Sequence, residues 1–347
     1  TQPGPVTQPG PVTQPGPVTQ PGPVTQPGPV TQPGQPSYGQ PVKARARTST
    51  QAITASALLA GGVLAGLIGL FPSYVGGSSL VSVGSNLVPH VIYLLAWLAA
   101  AVLLLLGGGR QRAGALLAAG VSVVTLGLFL ADLGTVMSGG AHLLGGGLVL
   151  SFLGWLLATA GAVMALWLPP VSWPARPRGS GRLLTLGLAT VIAIGAAIAF
   201  APSWDSFTVR EANGTLHHYT AGNAFANPGP VIAADLIVMI LFVAVVVVAA
   251  LWRPVREGAV LLAAAIVPFL AQAISAPVQL AQSASLQFGL TPAQAREGLT
   301  ITAGLTAAFW IYCVLVAALI ALCAWMFVPR RPVPPGSTAP APLTTMT

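Results

Sequence analysis

From residue 51 onward the chain alternates between long apolar runs and short polar connectors. Eight runs stand out, at 51–71, 89–106, 113–137, 143–168, 183–201, 231–252, 259–276 and 299–328. A helix needs roughly 20 mostly apolar residues to cross a hydrocarbon core about 30 Å thick. The pattern therefore predicts an all-α, polytopic transmembrane helix bundle of about eight spans over residues 51–328. Ahead of it, residues 1–30 are five copies of TQPGPV, followed by the decayed copy TQPGQP and then SYGQPV. Without large aromatics or charge, such repeats bury too little surface to offset the entropy of ordering. Residues 1–50 are thus expected to form a disordered Pro/Gly/Gln-rich tail, and 329–347 a short Pro-rich one.

Composition agrees with the pattern. Charged residues make up 6% of the 347 and hydrophobic ones 54%, whereas soluble domains carry about 25% charge. The formal net charge of +8 does not indicate nucleic acid, because the basic residues sit in connectors between apolar runs. Lys and Arg in short loops are retained on the cytoplasmic side. With the N-terminus inside, the inner segments hold Lys43, Arg45, Arg47, Arg110, Arg112, Arg176, Arg178, Arg182, Arg253, Arg256, Arg330 and Arg331, and the outer ones only Arg210 and Arg296. Twelve against two predicts that both termini lie in the cytoplasm, and losing any one span would scramble the alternation.

Little in the chain signals catalysis. It has no P-loop, HExxH, GxSxG or strand-borne GxGxxG motif, so no enzyme and no cofactor are expected. Cys313 and Cys323 lie ten positions apart in one apolar run and read as packing residues. The histidines, His90, His142, His217 and His218, match no metal-site spacing. More telling are polar residues inside or beside the spans, since a charge at the bilayer centre costs roughly 2.5–3.5 kcal/mol on insertion scales. Asp132 and Asp235 fall near the outer ends of spans three and six, His90 at the start of span two. Gln272, Ser275, Gln279 and Gln282 follow a four-three spacing that aligns them along one helix face, in a segment interrupted by Pro268 and Pro277. His90, Asp132, Asp235, Gln272, Ser275 and Gln279 therefore gather at one depth. Two readings follow: an outward-facing vestibule for a small polar or cationic ligand, or six groups that each wet the outer end of their own helix.

Gly62 and Gly66 give a GxxxG spacing in span one, read chiefly as intramolecular packing. The connectors after spans two and six begin alike, Arg112-Ala-Gly-Ala and Arg256-Glu-Gly-Ala, which raises a 4+4 parallel repeat. The outer segment 202–229 is too short for a domain of its own but long enough to cap the bundle or meet a partner. In layout and composition the chain resembles multi-pass actinobacterial membrane proteins with a Pro/Gln/Gly-rich N-terminal tail; the resemblance implies a plasma-membrane location and transfers no functional residue. Two functions are weighed: a cell-envelope binding or scaffold protein that meets a protein partner through the tail or segment 202–229, and a small-molecule or ion transporter that uses the vestibule.

Overall fold

Each apolar run becomes a helix in the computed structural model, which describes residues 49–168, 181–211, 213–220, 223–286 and 300–328. The helices are α1 Thr50–Gly69, α2 Gly84–Leu105, α3 Gly109–Gly139, α4 Gly146–Leu166, α5 Gly181–Phe200, α6 Gly229–Leu251, α7 Val255–Leu286 and α8 Ala307–Phe327. Among the described residues, these eight are long and apolar enough to cross a membrane. The chain is an integral membrane protein built as a helical bundle. The basic collar, both tails and the side chain of Gln282 lie outside the described residues.

Three boundaries differ from the sequence pattern by five residues or more, the largest being the end of α7, which continues past Pro277 to Leu286. The last run does not begin as a helix: Thr300–Leu305 is a strand, because its alternating β-branched start (Thr300, Ile301, Thr302) favours a pleated surface. The 21 residues of α8 then suffice to span. α2 starts at Gly84, upstream of Pro89. Proline has no N–H for the carbonyl four residues back, which frees the Ser85 carbonyl. Ser275 Oγ of α7 donates to it at 2.9 Å.

Small residues set the packing. An added Cβ at Gly62 would stand 2.6 Å from the Gly154 carbonyl oxygen, and one at Gly154 would stand 2.7 Å from that of Gly62. Gly161 meets the Ala55 carbonyl and Gly147 that of Gly69 in the same way. α1 and α4 thus touch backbone to backbone, as small-residue interfaces in lipid do. The GxxxG glycines are spent on intramolecular contacts, Gly62 against α4 and Gly66 also against Leu94 of α2. On α3, Gly120 faces Leu261 and Ala264 of α7, while Gly127 and Gly134 face Val238 and Pro230 of α6.

Within the first half α1 contacts α2 and α4, and α3 contacts α2 and α4; within the second, α5 contacts α6 and α8, and α7 contacts α6 and α8. The seam between the halves consists of α3 against α6 and α7, and α2 against α7. Each half has its own apolar cluster, and the two exchange residues: Ala264 and Ala271 of α7 enter the first, Val124 of α3 the second. Polar groups in these clusters bond to one another. Trp97 Nε1 donates to Ser122 Oγ (3.1 Å) and Trp155 Nε1 to the Ser122 carbonyl (3.0 Å), while Tyr312 donates its hydroxyl to the Phe269 carbonyl at 2.7 Å.

Candidate functional site

At the end of the bundle opposite the start of α3, two small sheets lie beside the helix ends that carry the polar residues. β1 Ser73–Val75 and β2 Ser78–Ser79 form a hairpin whose turn, Gly76-Gly77, has φ of 66° and 88°. Positive φ at both central residues is the requirement of a tight hairpin turn. The connector between α3 and α4 clamps this hairpin: Gly145 N–H donates to the Tyr74 carbonyl (3.0 Å) and Gly76 N–H to that of Leu143 (3.1 Å). A Cβ at Gly145 would collide with the Ser73 carbonyl, so this approach needs glycine.

The clamp aims Tyr74 inward between α2 and α3. Its hydroxyl donates to Asp132 Oδ2 at 2.7 Å and lies 3.0 Å from His90 Nε2. His90 Nδ1 is 2.8 Å from the Asn86 carbonyl oxygen, a contact only an N–H can make. If Tyr74 places its proton towards Asp132, Nε2 must also donate, which would make His90 an imidazolium balancing the Asp132 carboxylate through the phenol. Shifting each proton one bond along gives the neutral alternative: Asp132 donates to Tyr74 and Tyr74 to Nε2. The three groups form a short relay whose charges appear or vanish together. Burial, and next the Asp132 charge, hold the Tyr74 hydroxyl well above its ordinary range, so the phenol acts as bridge and never as anion. Phe129 packs edge-on to the His90 ring, and Tyr93 lies beside it.

No family model, curated protein or solved structure matches this chain. What the site does must come from its own geometry.

Of the six residues singled out by pattern, His90 and Asp132 are joined through Tyr74. Gln272 reaches the same cluster by donating to the Tyr93 hydroxyl (3.3 Å). Ser275 is occupied with the Ser85 carbonyl, and Gln279 lies half-buried one turn further along α7. Asp235 has a separate partner, the Asn227 side chain ahead of α6. Tyr74, Tyr93 and Phe129 escaped the sequence reading. A Gly-Gly pair just after Tyr74 is a hairpin signal that points to the first of them.

The second sheet has the order β4-β3-β5: β3 Asp205–Arg210 pairs antiparallel with both β4 Leu216–Thr220 and β5 Thr300–Leu305. Trp204 anchors it. Its Nε1 donates to the Ala199 carbonyl (3.0 Å) and its ring lies 4.5 Å from that of Tyr312, while Thr306 N–H bonds the Trp204 carbonyl at 2.8 Å. Phe207 points down into the bundle at 3% exposure, whereas every residue of β4 is exposed. His217 faces Glu211 at 3.3 Å and His218 Nδ1 meets Thr208 Oγ1 at 2.8 Å.

Asp205 is buried at the start of β3, and its Oδ1 has no hydrogen-bond partner. Burial raises its carboxyl above the ordinary 3.8. A carboxyl whose folded pKa exceeds its unfolded one favours folding only while protonated, and that advantage is lost as pH rises from 3.8 through the folded value. Asp205→Asn is therefore expected to raise the melting temperature at pH 7, with the gain shrinking towards pH 4. A gain independent of pH would assign the effect to something other than ionisation.

Proposed function

We propose that this protein is a cell-envelope binding or scaffold protein of the plasma membrane, with both termini cytoplasmic and the β4-β3-β5 sheet facing outward. The observation that carries the reading is strand β4. It is a fully exposed edge, Leu-His-His-Tyr-Thr, held on a bundle in which Trp97, Trp155 and Tyr312 each donate a buried hydrogen bond. An edge strand offers unpaired backbone groups to an extended segment of a partner, with alternate side chains supplying selectivity. The basic bias supports the orientation, and the N-terminal tail offers a second contact on the other side.

The test has two stages. In a Cys313→Ala/Cys323→Ala background, Arg110→Cys is expected to resist a membrane-impermeant thiol reagent in intact cells, whereas Tyr219→Cys is expected to react. Labelling of both from outside would overturn the orientation. A photo-crosslinking amino acid at Tyr219 is then expected to give a discrete adduct that the same group at lipid-facing Ile240 does not. Adducts of equal pattern at both positions would remove the case for β4.

A transporter remains the second reading, favoured by the Tyr74–His90–Asp132 relay alone. It requires Asp132→Asn to abolish ligand-driven proton movement in proteoliposomes while leaving the melting temperature largely unchanged. Against it, His90 and Asp132 are occupied with Tyr74 and Gln272 with Tyr93, and Asp235 is engaged elsewhere.

We also infer a parallel 4+4 repeat. In support, the neighbour order is the same in both halves, and the halves exchange residues through α3 and α7. The outer connectors match as well: in each half a hairpin follows the first helix, and its first strand is met by the connector between the third and fourth, at Val75 with Leu144 and at β3 with β5.

A further inference from the structure

The arginine-bearing end of the bundle contains a cleft of about 360 Å³ between the start of α3, the start of α7 and the end of α8. Arg110 and Arg256 line it, together with Glu257, Gly109, Val260 and Phe327. Glu257 is already committed: its Oε2 accepts from Trp252 Nε1 at 2.9 Å and lies 3.6 Å from Arg112 Nε. Arg110 and Arg256 are exposed, and among the described residues neither is paired with a carboxylate. Around the cleft, then, two positive charges stand in excess. The first turn of the 31-residue α3 adds to them, with no acidic residue and no side-chain cap on its N–H groups, so its partial positive charge faces the same space.

The remaining wall is apolar. Phe327 is 42% exposed and lines the cleft with Val260 and Ala113. A free phosphate has no use for that surface, and an ammonium-bearing headgroup would find no uncommitted carboxylate. Basic pockets between transmembrane helices near the cytoplasmic interface suit anionic lipid headgroups.

We propose that this cleft binds the phosphodiester headgroup of an anionic phospholipid, with Arg110 and Arg256 on the phosphate and Val260 and Phe327 along the first part of an acyl chain. The assignment rests on the orientation proposed above, and not on a binding role for the sheet-bearing end.

The full chain in phosphatidylcholine nanodiscs, titrated with phosphatidylglycerol and read by native mass spectrometry, tests it. Wild type is expected to retain phosphatidylglycerol at least tenfold over phosphatidylcholine. Arg110→Gln/Arg256→Gln is expected to lose the preference. Val260→Trp, which fills the cleft and keeps both arginines, is expected to lose it too. Retention by the arginine pair variant would overturn the site, and retention by Val260→Trp would reduce it to surface attraction without a pocket. If millimolar inorganic phosphate raises the melting temperature as much as phosphatidylglycerol does, the ligand is a free phosphate and the lipid assignment fails.

Discussion

Gly154→Leu is expected to detach α4 from α1 and to cost about 3 kcal/mol or more of stability, at the upper end of what overpacking produces. Its new side chain would meet the Gly62 carbonyl and the Gly66 amide at 2.7 and 2.9 Å. Backbone cannot rotate away as a flexible side chain can. Gly187→Leu is the control: a Cβ there meets nothing within 4 Å, and leucine is the better helix former, so no loss is expected. Melting curves in one detergent compare the two, and equal behaviour would show that the α1–α4 contact is not as close as described.

A comparable loss, about 3 kcal/mol, is expected for Glu257→Ala, the range found when one partner of a buried ion pair is removed. Arg112 is only 18% exposed and Glu257 11%. At 3.6 Å the contact is Coulombic rather than a hydrogen bond. Without Glu257, Arg112 keeps the Leu166 carbonyl (3.0 Å) and the face of Trp252, neither of which neutralises it. Arg112→Met/Glu257→Met removes both charges and is expected to be more stable than Glu257→Ala. A double-mutant cycle with coupling near zero would show that the pair is independent and the cost lies elsewhere.

The spans were legible because hydrocarbon thickness imposes one crude requirement, an apolar run of sufficient length, and the eight runs met it. Their partners were harder to read. Gly147, Gly154 and Gly161 recur every seven residues on α4, as do Gly120, Gly127 and Gly134 on α3. That heptad spacing marks the α1–α4 contact and the seam between the halves, and it was available in the sequence. Thr300–Leu305 was hidden because Ile, Ala and Leu raise hydropathy in strand and helix alike. Of the site, His90, Asp132 and Gln272 were visible as polar breaks in apolar runs. Tyr74 was not, since a tyrosine in a connector is ordinary until the fold turns it inward. Asp235 shares the depth of the others, but depth along a helix does not specify the direction in which a side chain leaves it.

The repair of the Pro89 break has a cost in time. Ser275 lies 190 residues beyond Ser85, and at about 5–20 residues per second of synthesis the donor emerges on the order of 10–40 s after its acceptor. Throughout that interval the nascent first half lacks the Ser275 hydroxyl that ties α2 to α7. A chain halted after α4 would never acquire that bond, so the first half alone lacks a tie that the whole bundle makes between α2 and α7.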